Sequence, residues 1–576
     1  MNEILQSEVW NEFFRKSHLD ISHIWNIFNI EYALFNQLIR FDMSIFRFFP
    51  LLLLLFLLNA CTPEEAPSQQ VPNILFIMSD DHAYQAISAY SDRLIQTPNI
   101  DRLAKEGILF SNACVTNSIC GPSRAVILTG KHSHINGKID NRFPFDTTNI
   151  TFPQIFQESG YQTAMYGKLH FGNNPKGVDD FMILPGQGNY INPRFLTPDG
   201  DTTITGYTTD IITDLSLKWL KEKRDPNKPF MMAYLHKAPH RPWWPRPDKF
   251  KEFLQKQFPE PDNLFDDYSN RGTAAKTAEM NLLKHMMYSH DSKVRPELVA
   301  AMGDQASPQV KEWDNSFWGP YGRSNEAQKA AYEPMLDSIN NFFQLNWPTM
   351  TDEEKMRWKY QRYMQDYLAC ISSVDDNIGR VLDYLDESGL AENTIVIYTS
   401  DQGFYLGEHG WFDKRFVYNE SFKTPLLIRW PGVIQPGIRN EEMVQNLDFA
   451  PTFLEAAGID VPTDMQGESL MPILTGASSL DREAVYYHYY EYPAVHMVKR
   501  HYAIVTQEYK LVHFYFDVDE WELYDRLKDP QEMNNVFDDP AYQDVIADLK
   551  VKLDELRVKY KDSEALDQKY IDMYNL

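Results

Sequence analysis

The sequence predicts an α/β protein, because several apolar runs have the length of single strands and lead into polar loops. The runs are NILFIM, FMMAYL and TIVIYT, which start at residues 73, 230 and 394. Apolar runs without alternation are typical of strands covered on both faces, as in an α/β sheet. The loops that follow contain Asp80, His240 and Asp401. Because α/β proteins place their sites at the carboxyl ends of strands, we expect functional residues in these loops.

Size and charge exclude some classes of function. The chain has 576 residues, enough for more than one hydrophobic core, and a formal net charge of -26. Nucleic-acid binding needs basic patches, which this composition argues against, so no nucleic-acid partner is predicted. The acidic composition is compatible with an anionic substrate, because a local basic pocket can bind such a substrate inside an acidic protein.

The cysteines do not predict a zinc site. The chain has four of them, without a repeated Cys-x-x-Cys or Cys/His pattern. Cys61 and Cys120 receive other roles below. The sequence leaves open whether Cys114 and Cys370 pair.

Residues 43–61 have the parts of a secretory signal: a short basic start, the apolar run 51–58 and small residues at the end. The run LNAC, which ends at Cys61, resembles a bacterial lipobox, whose cysteine becomes the lipidated first residue. A transmembrane anchor is the alternative, but a span needs about 20 apolar residues. We expect an exported bacterial lipoprotein, anchored by lipid at the outer membrane or cell surface, on its outer or periplasmic side.

Two neighbouring segments follow from this interpretation. Residues 1–42 would be an upstream extension that is not native, with Met43 as the true start. Residues 62–70, rich in Pro, Glu and Gln, are predicted to be a linker between the anchor and the folded domain.

Further elements are predicted from periodicity. Residues 352–387 have a long amphipathic helical pattern. Residues 123–128 are predicted to open a helix, which would place Cys120 at its amino end, where backbone N–H groups favour an anion. Residues 249–351 are polar, with scattered Trp and Met, and we interpret them as an insertion that borders the site.

Two pairs of polar residues have chemical meaning. Asp80 and Asp81 would repel each other unless a cation lies between them, and oxygen ligands suit Ca²⁺ or Mg²⁺. A solvated turn is the alternative. In an extended stretch, alternation would place Lys168 and His170 on one face. There a lysine could hold an anionic oxygen, and a histidine could move a proton near neutral pH.

Several segments together resemble one enzyme family. The run CGPSR, from Cys120 to Arg124, with LTG after it, resembles the signature of the formylglycine-dependent (type I) sulfatases. The runs TPNIDRLA, YQTAMYGKLH, APHRP and SDQG follow the family's order, and the resemblance extends over about residues 73–535. The chain is thereby similar to the alkaline phosphatase superfamily and to bacterial sulfatases of glycosaminoglycans and algal polysaccharides.

The resemblance implies a fold with two parts. A large, mostly parallel sheet sandwiched by helices would occupy the catalytic domain, residues 71–480. A smaller antiparallel sheet plus a helix would form the C-terminal subdomain, residues 481–576, with strands in 502–516 and the helix over 542–560.

The resemblance also implies roles for the site residues. Cys120 would be oxidised to formylglycine by a formylglycine-generating or anaerobic sulfatase-maturating enzyme, and Arg124 would hold this nucleophile. His240 would protonate the leaving alcohol, and His170 would take a proton from the nucleophile. The implied Ca²⁺ ligands are Asp80, Asp81, Cys120, Asp401 and Gln402. The implied sulfate-binding residues are Lys168, His240 and Lys414.

One metal-ligand assignment departs from the family pattern. Many family members have Asn at the position of Gln402, whose amide oxygen is one methylene further from the backbone. In the aromatic run YYHYYEYP, we predict that His488 binds substrate, and we leave the later His496 without a role. A packed aromatic sheet is the alternative for most of this run.

The predicted function is removal of O-sulfate from a sulfated polysaccharide or oligosaccharide, either an algal polysaccharide such as ulvan or a glycosaminoglycan. One alternative is a phosphomonoester or phosphonate hydrolase, because related enzymes use the same modified cysteine. Another is a non-catalytic glycan-binding lipoprotein that kept the fold. The complete set of catalytic residue types argues against the second alternative.

Overall fold

The computed structural model describes residues 71–302 and 317–574. The predicted lipidation site Cys61, the signal segment 43–61, the upstream extension 1–42 and the linker 62–70 lie outside the described residues. Among the described residues, no helix is long and apolar enough to cross a membrane.

The strands of the described residues fall into a ten-stranded sheet, a two-stranded ribbon and a four-stranded sheet. In chain order they are β1 Asn73–Ser79, β2 Ile108–Cys114, β3 Gln162–Lys168, β4 Asp180–Leu184, β5 Arg194–Thr197, β6 Gly200–Thr203, β7 Phe230–Leu235, β8 Thr394–Ser400, β9 Tyr405–Leu406, β10 Phe412–Asp413, β11 Leu426–Arg429, β12 Ile438–Gln445, β13 Ala484–Tyr489, β14 His501–Thr506, β15 Tyr509–Phe514 and β16 Glu520–Asp525.

The large sheet is mostly parallel, as predicted. Its strand order is β12-β2-β11-β8-β1-β7-β3-β4-β5-β6. The neighbours from β8 to β4 all pair in parallel, and so do β12 and β2. The antiparallel members are β11 in the middle of one half and the pair β5–β6 at the far edge. The carboxyl ends of β8, β1, β7 and β3 therefore meet at one edge of the sheet.

The described α-helices lie between and after these strands. In chain order they are α1 Ile100–Lys105, α2 Cys120–Thr129, α3 Ser133–Asn136, α4 Phe152–Glu158, α5 Thr208–Lys218, α6 Pro247–Phe253, α7 Thr273–Thr277, α8 Leu282–His285, α9 Tyr288–Ser292, α10 Pro296–Ala301, α11 Trp318–Arg323, α12 Glu326–Asn346, α13 Asp352–Glu387, α14 Asn419–Phe422, α15 Phe449–Ala456, α16 Met471–Leu474, α17 Gln543–Lys559 and α18 Glu564–Asp572.

Helices cover both faces of the large sheet. Along β1, Leu75 and Ile77 pack into one apolar core with α5 and α13, whereas Ile74 and Phe76 pack into another with α2, α4 and α15. Every residue of β1 is buried, because its alternating side chains meet a helical layer on each side. The prediction of strands covered on both faces is confirmed.

The small sheet has the order β13-β14-β15-β16 and is antiparallel throughout. Helix α17 packs on it, with Leu549 and Leu553 in one apolar cluster with Ile504 and Leu511. The predicted fold class, a large mostly parallel sheet between helices with a smaller C-terminal antiparallel sheet plus helix, is confirmed.

Candidate active site

Four neighbouring parallel strands deliver polar side chains to one edge of the large sheet. The loops after β1, β7 and β8 and the end of β3 lie side by side, because the strand order is β8-β1-β7-β3. The delivered residues are Asp80, Asp81, Lys168, His170, His240, Asp401 and Gln402. Residues far apart in the sequence thus meet at the position expected for an α/β site.

Cys120 lies at this edge, as the first residue of α2. Its side chain is fully buried, with Sγ 3.3 Å from Nζ of Lys414 and 4.0 Å from Oδ1 of Asp81. Burial raises the pKa of the Cys120 thiol far above its usual range, and Asp80 adds to this effect. The unmodified thiol is therefore protonated at neutral pH and is a poor nucleophile.

The backbone after Cys120 is tightly enclosed. The N–H of Gly121 donates to Oδ1 of Asn141 at 3.0 Å. A Cβ atom at Gly121 would lie 2.7 Å from that oxygen and 3.4 Å from the carbonyl oxygen of His170. A residue with a Cβ atom at this position would come too close to Oδ1 of Asn141, and glycine avoids that contact. The short distance to the His170 carbonyl also shows that His170 lies beside the segment that carries Cys120.

Arg124 lies one turn along α2 and joins three loops. Its Nε donates to Oδ2 of Asp401 at 2.9 Å, and its Nη2 lies 3.5 Å from Oδ1 of Asp80. Its Nη1 donates to the backbone carbonyl of Lys168. Burial raises the pKa of the Asp80 carboxyl, but Lys168 and other neighbouring cations, Arg124 among them, hold it well below its usual range. The buried guanidinium thus keeps two buried carboxylates compensated.

The acidic cluster fits a divalent cation. Oδ1 of Asp80, Oδ2 of Asp81 and Oε1 of Gln402 are buried and have no hydrogen-bond partner. Burial raises the pKa of Asp81 to about 7, an effect that Lys414 opposes and neighbouring carboxylates strengthen. Four residues each place one potential ligand atom within 4.8 Å of the other three: Asp80, Asp81, Cys120 and His240. Unpartnered carboxylate and amide oxygens are the ligands that Ca²⁺ prefers.

Two lysines neutralise the carboxylates from different sides. Nζ of Lys414 lies 2.5 Å from Oδ1 of Asp81. Nζ of Lys168 binds Oδ2 of Asp80 and Oε1 of Gln187. Lys414 lines the cleft described below together with Gln187, whereas Lys168 is fully buried behind it. Lys414 is therefore the lysine that an incoming anion meets first.

The two predicted histidines are both neutral in this arrangement. Nδ1 of His240 lies 2.5 Å from the carbonyl oxygen of Arg241, which can only accept, so Nδ1 carries the proton. Nε2 of His240 then faces Oδ2 of Asp81 at 3.7 Å. Burial, with Lys168 adding to it, lowers the pKa of both His240 and His170 well below the usual range. A bound sulfate would raise these values, because a nearby anion favours imidazolium.

These residues open into one cleft with a volume of about 410 Å³, in the range of small-ligand sites. Cys120, His240 and Lys414 lie among its lining residues. Lining residues that the sequence analysis missed include Asn141, Gln187, Arg241, Asp413, Arg415 and Glu491. Arg241, Asp413 and Arg415 could have been predicted from the sequence, because they are direct neighbours of His240 and Lys414. Gln187 and Asn141 belong to no motif and could not.

The structure does not bring His488 to the cleft. Its ring is buried in β13, with Nδ1 2.7 Å from Oδ2 of Asp562 and Nε2 2.7 Å from the hydroxyl of Tyr515. Both ring nitrogens are thus occupied by protein groups, so the prediction that His488 binds substrate is corrected. His496 from the same aromatic region lines the cleft instead, with Nε2 3.3 Å from Oδ2 of Asp413.

The question of a disulfide is also answered. Among the described residues, Cys114 and Cys370 are buried free thiols, as is Cys120. Cys114 and Cys370 behave as small apolar residues in the core.

A helix-covered α/β sheet with a buried cysteine and an acidic cluster at its carboxyl edge is compatible with a hydrolase of anionic esters. The chain belongs to the sulfatase family: the model "Sulfatase" matches residues 72–459, and the model "N-sulphoglucosamine sulphohydrolase, C-terminal" matches residues 407–559. The predicted enzyme class, a sulfuric ester hydrolase, is confirmed.

Known relatives cover most of the chain. An N-acetylglucosamine-6-O-sulfatase of Bacteroides thetaiotaomicron is 46% identical over 88% of this chain and 90% of its own. An ulvan-active sulfatase of Formosa agariphila is 24% identical over 89% of this chain and 86% of its own. A solved structure, in complex with its substrate D-glucosamine-2-N,6-O-disulfate, is 46% identical and has a TM-score of 0.81, covering 87% of this chain and all of that one.

Proposed function

We propose that this sulfatase removes the 6-O-sulfate group from glucosamine residues of glycosaminoglycan fragments. A relative named for that activity is 46% identical over 88% of this chain, and a solved structure at the same identity contains a 6-O-sulfated glucosamine. An ulvan substrate has weaker support, since the ulvan-active relative is 24% identical.

The proposed nucleophile is formylglycine formed from Cys120, and the proposed metal is Ca²⁺. The hydrated aldehyde would supply a hydroxyl group for attack on sulfur. A divalent ion held by the acidic cluster would act as a Lewis acid toward the sulfate. The high pKa of the Cys120 thiol supports a need for modification. The unpartnered oxygens support metal binding by Asp80, Asp81 and Gln402, with Asp401 beside them.

The remaining site residues bind the sulfate and move protons. Lys414 holds a sulfate oxygen, because its Nζ lies 3.3 Å from Sγ of Cys120 and faces the cleft. His240 becomes protonated on Nε2 beside the bound sulfate and donates that proton to the leaving sugar oxygen. His170, whose buried Nδ1 has no hydrogen-bond partner, accepts a proton from the nucleophile. Arg124 and Lys168 hold the carboxylates in place.

Export and maturation complete the proposal. The lipobox-like run before Cys61 supports a lipid-anchored protein at the outer membrane or cell surface, where sulfated glycans are accessible. The CGPSR run supports recognition of Cys120 by a formylglycine-generating or anaerobic sulfatase-maturating enzyme. The mass of the first peptide of the mature protein tests the anchor: we expect lipidated Cys61, and a peptide derived from Met1 would contradict it.

The convergence of Cys120, Lys414, His240 and the acidic cluster on one cleft carries the proposal. Sulfate release is to be measured from N-acetylglucosamine-6-sulfate, glucosamine-2-N,6-O-disulfate and ulvan oligosaccharides, with Cys120→Ala as the control. We expect release from the two glucosamine sulfates and none from the variant. Release from ulvan oligosaccharides alone would contradict the substrate assignment.

The same assay addresses the alternative reaction. Phosphate and phosphonate monoesters of matched leaving groups should give a clearly lower kcat/KM than the sulfate ester. A higher kcat/KM for the phosphonate would make the chain a phosphonate hydrolase of the same superfamily.

A further inference from the structure

A part of the predicted insertion over residues 249–351 lines the catalytic cleft, and the reaction described above does not use it. Glu279, His285, Met287 and His290 all line the cleft and come from one short segment. We name residues 279–290 the insertion wall. Because it lines the same cleft as Cys120, His240 and Lys414, it is a surface that the rest of the sugar can contact.

The insertion wall is fixed to the loop that carries Lys414. The N–H of Phe412 donates to the carbonyl of Met280 at 3.1 Å, and Asn281 forms a β-bridge with Trp411. Two residues after Phe412 the chain reaches Lys414. The wall is therefore held at a constant distance from the sulfate-binding lysine.

An ion pair fixes the other side of the wall. Arg241, which follows His240, donates to Asp291 at 3.0 and 2.7 Å. Oδ2 of Asp291 also accepts the N–H of Met287 at 2.8 Å. Met287 and Pro242 thus line the cleft from two chain segments that one ion pair joins. Because Asp291 engages the Arg241 guanidinium, that charge is largely compensated.

His285 presents a neutral hydrogen-bond donor. Its Nδ1 accepts the N–H of Asn281 at 3.0 Å, so the proton of the neutral ring is on Nε2. Burial lowers the pKa of His285 to about 4, so the ring is uncharged at neutral pH. With the carboxylate of Glu279 nearby in the lining, this wall offers a neutral donor and an apolar surface, and it does not favour a second anion.

We propose that His285 and Met287 bind the N-acetyl group of the sulfated sugar, which makes the insertion wall a determinant of specificity. The inference rests on the proposed function and adds the identity of the amino substituent. The acetyl carbonyl accepts from Nε2 of His285, and the methyl group packs on Met287 and Pro242. An N-sulfo group would place a second anion beside the Glu279 carboxylate and so bind less well, and a hydroxyl group would leave the apolar surface empty.

The test compares kcat/KM for N-acetylglucosamine-6-sulfate, glucosamine-2-N,6-O-disulfate and glucose-6-sulfate. Met287→Ala should lower the first value about tenfold and the value for glucose-6-sulfate less than about threefold. His285→Ala should lower the first value about fivefold, and His285→Gln, which keeps a donor, should restore most of it. Lys251→Ala, at an exposed position outside the wall, is the control.

A measurement on the unaltered enzyme covers the case in which a variant fails to fold. N-acetylglucosamine should inhibit at a concentration about tenfold lower than glucose does. Equal losses on all three sugars in both variants, or equal inhibition by the two neutral sugars, would overturn the role of the wall. If the unaltered enzyme cleaves no 6-sulfated sugar at all, the proposed function fails first, and this inference falls with it.

Discussion

Lys414 shows how much of this site depends on one side chain. Its ammonium group contacts Oδ1 of Asp81 at 2.5 Å and Sγ of Cys120 at 3.3 Å. Burial lowers the pKa of Lys414, but Asp81 and other anions raise it well above its usual range, so the group stays charged. This buried cation therefore compensates Asp81 and faces the proposed position of the sulfate.

Lys414→Ala is expected to lower kcat/KM about 100-fold or more, because it removes a fixed cation from the bound sulfate and from the transition state. Steady-state sulfate release measures the effect. Lys251→Ala, at an exposed position, is the control and should change nothing. A variant with unchanged kcat/KM would remove Lys414 from the proposed sulfate site.

Cys120→Ser is expected to lower turnover by roughly 10³-fold or more, because serine lacks the second hydroxyl group that the hydrated aldehyde provides. Mass spectrometry of the peptide that contains Cys120 should show the aldehyde or its hydrate in the unaltered, matured protein. An intact thiol in a fully active preparation would disprove the proposed nucleophile.

Gln402→Ala is expected to weaken Ca²⁺ binding roughly tenfold or more, because an oxygen near two charged carboxylates is lost. Calorimetric titration of Ca²⁺ into chelator-treated protein measures this. Gln402→Asn should retain most of the affinity, since asparagine keeps the amide oxygen. Equal Ca²⁺ affinity in the alanine variant would place the ion elsewhere.

At the scale of elements, α13 shows what local sequence can specify. It covers Asp352–Glu387, the range predicted from its amphipathic pattern, and it begins with a capping box. Oγ1 of Thr351 accepts the N–H of Glu354 at 3.3 Å, while the Glu354 carboxylate accepts the N–H of Thr351 at 2.7 Å. The amphipathic pattern and the capping box are both properties of the local sequence, so they can be recognised before the fold is known.

Thr351→Ala is therefore expected to destabilise the protein by about 1 kcal/mol, through the loss of the cap. Urea unfolding, followed by circular dichroism, measures the change in the free energy of unfolding. Thr202→Ala, an exposed threonine in β6, serves as the matched substitution and should have a smaller effect. A smaller loss for Thr351→Ala than for Thr202→Ala would contradict the role of the cap.

The same locality explains which site residues were predicted and which were missed. Lys168, His240 and Asp401 each lie at or after an apolar strand, so pattern and family resemblance located them. Asn141 and Gln187 reach the cleft through loops without periodicity, and only the folded chain brings them there. The sequence predicts that His488, and not His496, binds substrate. Nothing in the aromatic run shows that the His488 ring is buried in β13 while the His496 ring lines the cleft.

At the scale of the whole molecule, the C-terminal helices are tied to the small sheet through Asp562. Its Oδ2 lies 2.7 Å from Nδ1 of His488 and also accepts the hydroxyl of Tyr486. His134 of α3 lies 3.9 Å away, so the contact extends to the catalytic part of the chain. Burial raises the pKa of Asp562, but the nearby His488 and other groups together lower it by a larger amount. The pKa of Asp562 is therefore well below its usual range.

The pH dependence of stability follows from this depressed pKa. The Asp562 carboxylate contributes stability above its unfolded pKa of about 4, and the contribution is lost as pH falls toward the folded value. Asp562→Asn should lower the free energy of unfolding by about 3 kcal/mol at pH 7. The difference between the variant and the unaltered protein should become smaller below about pH 4. Urea unfolding between pH 7 and pH 3 measures both. The exposed Asp554→Asn is the control, and a constant difference would contradict the assignment.

The complete burial of Cys120 has a consequence for the order of events in the cell. Lys414, whose Nζ lies 3.3 Å from Sγ of Cys120, is synthesised almost three hundred residues later. If Cys120 becomes the proposed formylglycine, a maturating enzyme would meet it most easily while this stretch is still extended and the sheet is unassembled. A molecule that folds first would expose Cys120 only through the cleft that it lines. Under the proposed mechanism, the active fraction of a preparation would then record a race between oxidation and folding during synthesis.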